Sequence, residues 1–210
     1  RSIEKERITR RWEEAARGVT MFWVRGAEDV GRITSITRGQ SLGSDTGVPR
    51  ENQHTQSRDD LLAMIIGGLA GRASEGTLYK GDVSRITTGA TRDIQQASAI
   101  ARGIIEQFGF AQDIGMVHHA YNPMDPSKNR HISEHTNAKI DQLIHKLITT
   151  GYDAAKNILH DYQDTYNAII HDLLEHDTIT GVEAAQHLPT NHINMTKYYA
   201  ELMDTLRKAA

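Results

Sequence analysis

The chain has 210 residues, with 24 Lys and Arg against 27 Asp and Glu (a formal net charge of −3), eleven His and no Cys. That length suffices for one substantial core or at most two small ones, and the near-neutral balance excludes a nucleic-acid footprint and a polybasic membrane surface. The lack of Cys excludes a disulfide framework, a thiolate zinc knuckle and a Cys nucleophile, so any metal chemistry must use His, Asp and Glu.

Taken in chain order, Ile3 to about Val24 has helical periodicity. Ile3, Ile8, Trp12, Ala15, Ala16, Val19 and Trp23 fall roughly on one face, with Glu and Arg opposite. Gly26 ends this helix. Val30 to Leu42 carries the clearest β signal, with Ile33, Ser35 and Thr37 alternating with Thr34, Ile36 and Arg38. A polar loop containing Pro49 follows. Ser57 or Asp59 can cap a helix running to about Leu78, whose Gly67, Gly68 and Gly71 fit a close approach of another backbone. Thr87 to Gly109 reads as the next helix, and 110–130 as a loop with Pro123 and Pro126. From Ser133 to about His176 the apolar spacing stays helical, with a bend or break expected at Gly151. Short helices around Gly181–Leu188 and Met195–Lys208 complete a mainly α chain with a small β element.

No stretch is apolar for the roughly 18 residues a membrane-spanning helix needs, since the longest, Leu61–Ala73, is interrupted by Arg72. The charged start without Met carries no secretory signal. It reads as a processed or expressed piece of something longer. No Walker A pattern occurs, so the chain cannot hydrolyse ATP by that route.

Several segments, in fixed order, resemble the peptidase domain of the FtsH-type AAA+ zinc metalloproteases. ITSITRGQSLG at Ile33–Gly43 is similar to the family's strand and R-G-x-x-L-G. SRDDLLAMIIGGLAGRASE at Ser57–Glu75 resembles its [ST]-[KR]-x-[DE]-L-L…G-R-x-A-E helix. TTGATRDIQQASAIAR at Thr87–Arg102 matches T-T-G-A-x-x-D-[LI]-x-x-A-[TS]-x-[IL]-A-R, the most specific of the set. ISEHTNAKID at Ile132–Asp141 and DLLEHDTITGVEAAQHL at Asp172–Leu188 resemble its C-terminal motifs. The resemblance covers about residues 8 to 188.

It implies a helical peptidase-type fold over 1–188: a motif-bearing helix in 1–25, a β segment in 30–43, core helices in 57–109 and C-terminal helices in 132–188. Residues 189–210 form a helical tail. In the family, two His of H-E-x-x-H bind zinc from one helix face, the Glu activates water, and the Asp of T-T-G-A-x-x-D is the third ligand. Here the motif falls on Trp12-Glu13-Glu14-Ala15-Ala16-Arg17-Gly18. Glu13 and Arg17 stand where the His would be, while Glu14 keeps the base position and Asp93 the third-ligand position. Glu75 and Thr88 are expected around the site, with Glu75 either orienting the neighbouring helix or pairing with Arg72. Gly39, Leu42 and Gly43 would lie along a substrate-binding β edge.

Guanidinium cannot coordinate zinc or lose its proton near neutral pH. One reading has Arg17 replace the metal electrostatically, pairing with Glu13 and reaching Asp93; the other leaves Glu13 and Arg17 on a solvated helix face. Two further His patterns are candidate metal sites. His131-Ile-Ser-Glu134-His135 fits H-x-x-E-H, but His131 precedes the cap expected at Ser133. The adjacent His118 and His119 are poor co-ligands.

Three functions follow from the resemblance. The first is a peptidase-like domain without zinc or activity, forming part of a hexameric AAA+ ring or holding unfolded polypeptide. The second is a working protease with metal on Glu13, Asp93 and a His. The third is a stand-alone binding module. ATP would act only through a module outside this chain. The expected location is a cytoplasmic or organelle-interior face, with any membrane anchor also outside the chain.

Overall fold

The computed structural model describes residues 2–25, 31–35, 56–120, 122–128, 131–189 and 196–207. Within these, α1 spans Ser2–Arg25, β1 Arg32–Thr34, α2 Arg58–Leu78, α3 Thr91–Glu106, α4 Glu134–Asp161, α5 Gln163–His176, β2 Thr178–Thr180, α6 Gly181–Ala185 and α7 Thr196–Leu206. Single 3₁₀ turns cover Val83–Arg85 and Pro126–Lys128.

The helix α2 is the centre of the bundle, packed against α1, α3 and α4. Its sequence explains the position: the consecutive Leu61, Leu62 and Ala63 are all buried, as are Ile65, Ile66, Gly67 and Gly71, so burial covers several sides, as in a helix surrounded by others. Ser57 starts it with a capping box, accepting from Asp60 N at 3.1 Å while Asp60 Oδ2 accepts from Ser57 N at 2.9 Å. The helix α1 buries Ala15, Ala16 and Val19 as its periodicity predicts, but Ile3 is exposed. Trp12 meets Tyr166 of α5 edge-on, ring centroids 5.7 Å apart, and the Tyr166 hydroxyl donates to the Trp12 carbonyl at 3.3 Å.

Two expectations change. The break expected at Gly151 lies instead at Tyr162, between α4 and α5. Gly151 is an interior helical position, where a Cβ would sit 2.8 Å from Ile65 Cγ2, so it answers to packing against α2. The helix expected from Thr87 begins at Thr91, because Thr87–Ala90 form a turn whose main chain bonds to side chains of α2. Thr178–Thr180, unmarked by any alternation long enough to read, pairs antiparallel with β1 in the register Ile33↔Ile179. Of the β segment expected over 30–43, Arg32–Thr34 is strand, and Gly39, Leu42 and Gly43 lie outside the described residues. The C-terminal α7 adds Tyr198, Leu202 and Leu206 to the same core.

Candidate functional site: a guanidinium among three carboxylates

Glu13, Glu14 and Arg17 project from α1 toward the N-terminal end of α3 and the adjoining face of α2. Arg17 makes two ion pairs, Nη1 with Glu14 Oε1 and Nη2 with Asp93 Oδ2. Its side chain is about a quarter exposed and both partners are less so. The expected partnership with Glu13 is thus displaced by Glu14, three residues back rather than four. That choice leaves the second guanidinium arm free to cross to Asp93 in the first turn of α3.

Space for the pair comes from Gly71. A Cβ there would lie 3.1 Å from both Arg17 Nη2 and Asp93 Oδ2, so a larger side chain would press directly on the ion pair. Sequence reasoning marked Gly71 for close packing but could not tell that charge, not backbone, fills the gap.

Glu13 is buried, 9% exposed, close to the turn before α3: a Cβ on Gly89 would lie 3.3 Å from its Oε1. Burial pushes its carboxyl up to about 7; Arg17 opposes the shift, while Glu75, Glu14 and Asp93 add to it. Glu14 is also raised, again by burial first, with Arg17 pulling the other way. For Arg17, burial works against the charge, but Glu14 and Asp93 outweigh it and hold its proton more firmly than usual. A single guanidinium thus serves three carboxylates, Glu13, Glu14 and Asp93, and burial first, then the neighbouring carboxylates, favours a proton on Glu13.

Glu75 is fully buried. Its Oε2 accepts from Thr87 N at 2.7 Å, and Arg72 Nη1 donates to Thr87 O at 3.1 Å. Of the two roles expected for Glu75, the pair with Arg72 gives way to a clamp in which the two side chains hold the N–H and the carbonyl of Thr87, in the turn that leads into α3. The Glu75 Oε1 atom has no hydrogen-bond partner among the described residues. Thr88 is exposed, and its carbonyl accepts from Thr91 N and Oγ1 at 3.1 and 2.6 Å, fixing the start of α3 and hence Asp93.

The comparison with known proteins fits this geometry. The family model described as Peptidase family M41 matches residues 2–187. The chain belongs to this peptidase family. An ATP-dependent zinc metalloprotease FtsH of Thermotoga maritima is 33% identical over 186 residues, covering 85% of this chain and 30% of the relative. The protein of that name from Rickettsia bellii is 27% identical over 197 residues, 92% of this chain and 30% of the relative. That from Mycoplasmoides gallisepticum is 34% identical over 181 residues, 84% of this chain and 23% of the relative. The chain therefore spans less than a third of the length of these relatives.

Zinc, which those relatives carry in their names, takes neutral imidazole, thiolate or carboxylate donors. The residues here do not fit it. One implied ligand position is a guanidinium with no lone pair to give, and that guanidinium is ion-paired with Asp93, the position of the third ligand. Among the described residues, no three His, Asp or Glu side chains converge as a metal-ligand set. His131 lies outside α4, whose cap is Ser133, and both His131 and His135 are exposed. His118 is exposed, and His187 is paired with Asp172 at 2.5 Å. No described helix is long and apolar enough to cross a membrane.

Proposed function

We propose that this chain is a peptidase-family domain that binds no catalytic zinc and cleaves no peptide bonds, kept for its fold as a structural or polypeptide-holding part of an AAA+ protease-like assembly. One observation carries the reading: Arg17 engages both groups that the zinc chemistry would need free. Its Nη1 holds Glu14 at the general-base position and its Nη2 holds Asp93 at the third-ligand position. A carboxylate held by a fixed guanidinium is not free to orient a water or to bind a metal, and the cation it pairs with repels a second one.

The rest of the domain supports a retained scaffold. The clamp on Thr87, the cap of α2 and the buried face of α1 are all intact, so the site differs in chemistry rather than in framework. The ATP dependence in the relatives' names would be supplied here by a module outside the 210 residues, in a homo- or hetero-oligomeric, hexameric ring.

The test is metal content and proteolysis measured together. The protein is purified without a nickel column, zinc per chain is read by mass spectrometry, and casein cleavage is followed with and without chelator. The expected result is far less than stoichiometric zinc and no cleavage. Stoichiometric zinc whose removal abolishes cleavage would overturn the proposal in favour of an active peptidase with an altered site.

A further inference from the structure

Two turns N-terminal to the Arg17 site, α1 carries Arg7, Arg10 and Arg11 at spacings that place them on one side of the helix. They line an open cleft of about 370 Å³ where α1 passes the end of β1 and the α5–β2 corner, together with Ile3, Glu6, Ser35 and Asp177. That is large for a lone oxyanion and within the range of ligand sites.

The charges in the cleft are not balanced. Asp177, the left-handed residue that ends α5, is committed: Arg11 Nη2 donates to its Oδ1 at 2.6 Å, and Ser35 Oγ donates to the same oxygen at 3.3 Å. The Ser35 main-chain N–H donates to the Asp177 carbonyl at 2.9 Å, which locks the corner. Arg7 reaches the other carboxylate oxygen only at 3.9 Å and is 59% exposed. Arg10 feels Glu14, one turn on, only through space, since Glu14 is ion-paired with Arg17. Arg7 and Arg10 therefore stand in one cleft in which, among the described residues, Glu6 is the acid besides Asp177, and Ile3, 74% exposed, offers an apolar surface beside them.

We propose that this cleft binds acidic polypeptide segments, Arg7 and Arg10 taking side-chain carboxylates while Ile3 packs on their aliphatic stems. Guanidinium forks match carboxylates in two-point geometry, and the combination of positive charge with an exposed aliphatic residue suits glutamate better than a bare ion. Nucleic acid is disfavoured because the basic patch is short and the chain carries a net charge of −3. The proposal is independent of whether the domain cleaves peptide bonds.

The probe is a fluorescein-labelled peptide of alternating Glu and Leu, with its Gln counterpart as control, titrated with the full chain by fluorescence anisotropy. The Glu peptide binds, weakens as salt is raised, and loses at least about tenfold in affinity in the Arg7→Ser/Arg10→Ser double variant. The thermal midpoint of that variant stays near the parent's, because Arg11 and its pair with Asp177 are untouched. Absence of binding, equal binding of the Glu and Gln peptides, or an unchanged affinity in the double variant would each overturn the proposal. So would displacement of the peptide by a single-stranded oligonucleotide at lower concentration than by unlabelled peptide.

Discussion

The two faces of α2 use the same device on different chemistry. Toward α1 and α3, the missing side chain of Gly71 leaves room for the Arg17–Asp93 pair, 3.1 Å from either polar atom. Toward α4, the missing side chain of Gly151 lets Ile65, Leu69 and Leu202 close in, the nearest carbon 2.8 Å from where a Cβ would be. The aliphatic seam is stabilised by removal of area from water, and each contact contributes separately. The charged interface is stabilising only as a set, since carboxylates taken from water cost more than they return once their cation is gone. The first should respond to shape, the second to charge and pH.

Arg17→Leu is the harshest test of that contrast. It removes the cation paired with both Glu14 and Asp93 and the group that opposes the upward shift of Glu13. The expected loss is about 3 kcal/mol in urea unfolding at about pH 8, smaller at about pH 5.5, where the carboxyls can take protons. Arg17→Lys should recover part of it by restoring charge without the two-armed geometry. A loss below about 0.5 kcal/mol would show that these residues behave as a solvated helix face.

The next effect is a pH slope in the parent protein. Glu13 ionises near its ordinary value of 4.5 in the unfolded chain, but at about 7 in the folded one. Between those values the folded state holds the extra proton. Stability is therefore greatest on the acid side and falls as pH rises through 7. From about pH 5.5 to about pH 8 the Glu13 share of that fall is about 2 kcal/mol. Glu13→Gln should remove most of it, leaving a residue from Glu14, which is shifted in the same direction. A parent and a variant with the same slope in urea midpoints would remove Glu13 from the interior charge set.

Much of this contrast could be read before any coordinates, but unevenly. The order and type of the helices followed from apolar period, and Glu13, Glu14, Arg17 and Asp93 from motif register. Which carboxylate Arg17 would choose did not follow, because positions three and four residues back are both in reach on a helix and tertiary placement of Asp93 decides between them. The Thr87 clamp was hidden for a related reason: Thr, Thr and Gly read equally as a helix cap or a turn until Glu75 and Arg72 are seen to hold the peptide. The arginine cleft was legible as spacing on α1 but not as a site, since its other wall comes from Ser35 and Asp177, distant in sequence. Gly151 was misread because a glycine in a helix signals either a break or a close neighbour, and only the position of Ile65 distinguishes them.

The smallest effects bear on the aliphatic seam, and a second glycine supplies its control. Ala at a helical Gly gains up to about 1 kcal/mol from propensity alone, so any net cost must come from the space the methyl enters. At Gly151 the obstacle is Ile65 Cγ2, on a β-branched side chain that is fully buried between helices and cannot turn to another rotamer cheaply. Gly151→Ala should therefore lose about 1 kcal/mol net, with no dependence on pH or salt. At Gly103 in α3 the obstacle is Phe108 Cε2 at 2.9 Å, as close on paper. Phe108, however, is half exposed and tilted against Phe110, with solvent into which its ring can swing. Gly103→Ala should change stability by no more than about 0.5 kcal/mol in either direction, the propensity gain offsetting the displaced contact. Thermal or urea midpoints of the two variants, measured side by side, decide the point. Equal losses would mean that distance alone, rather than the freedom of the facing side chain, sets the cost of filling a helix interface in this fold.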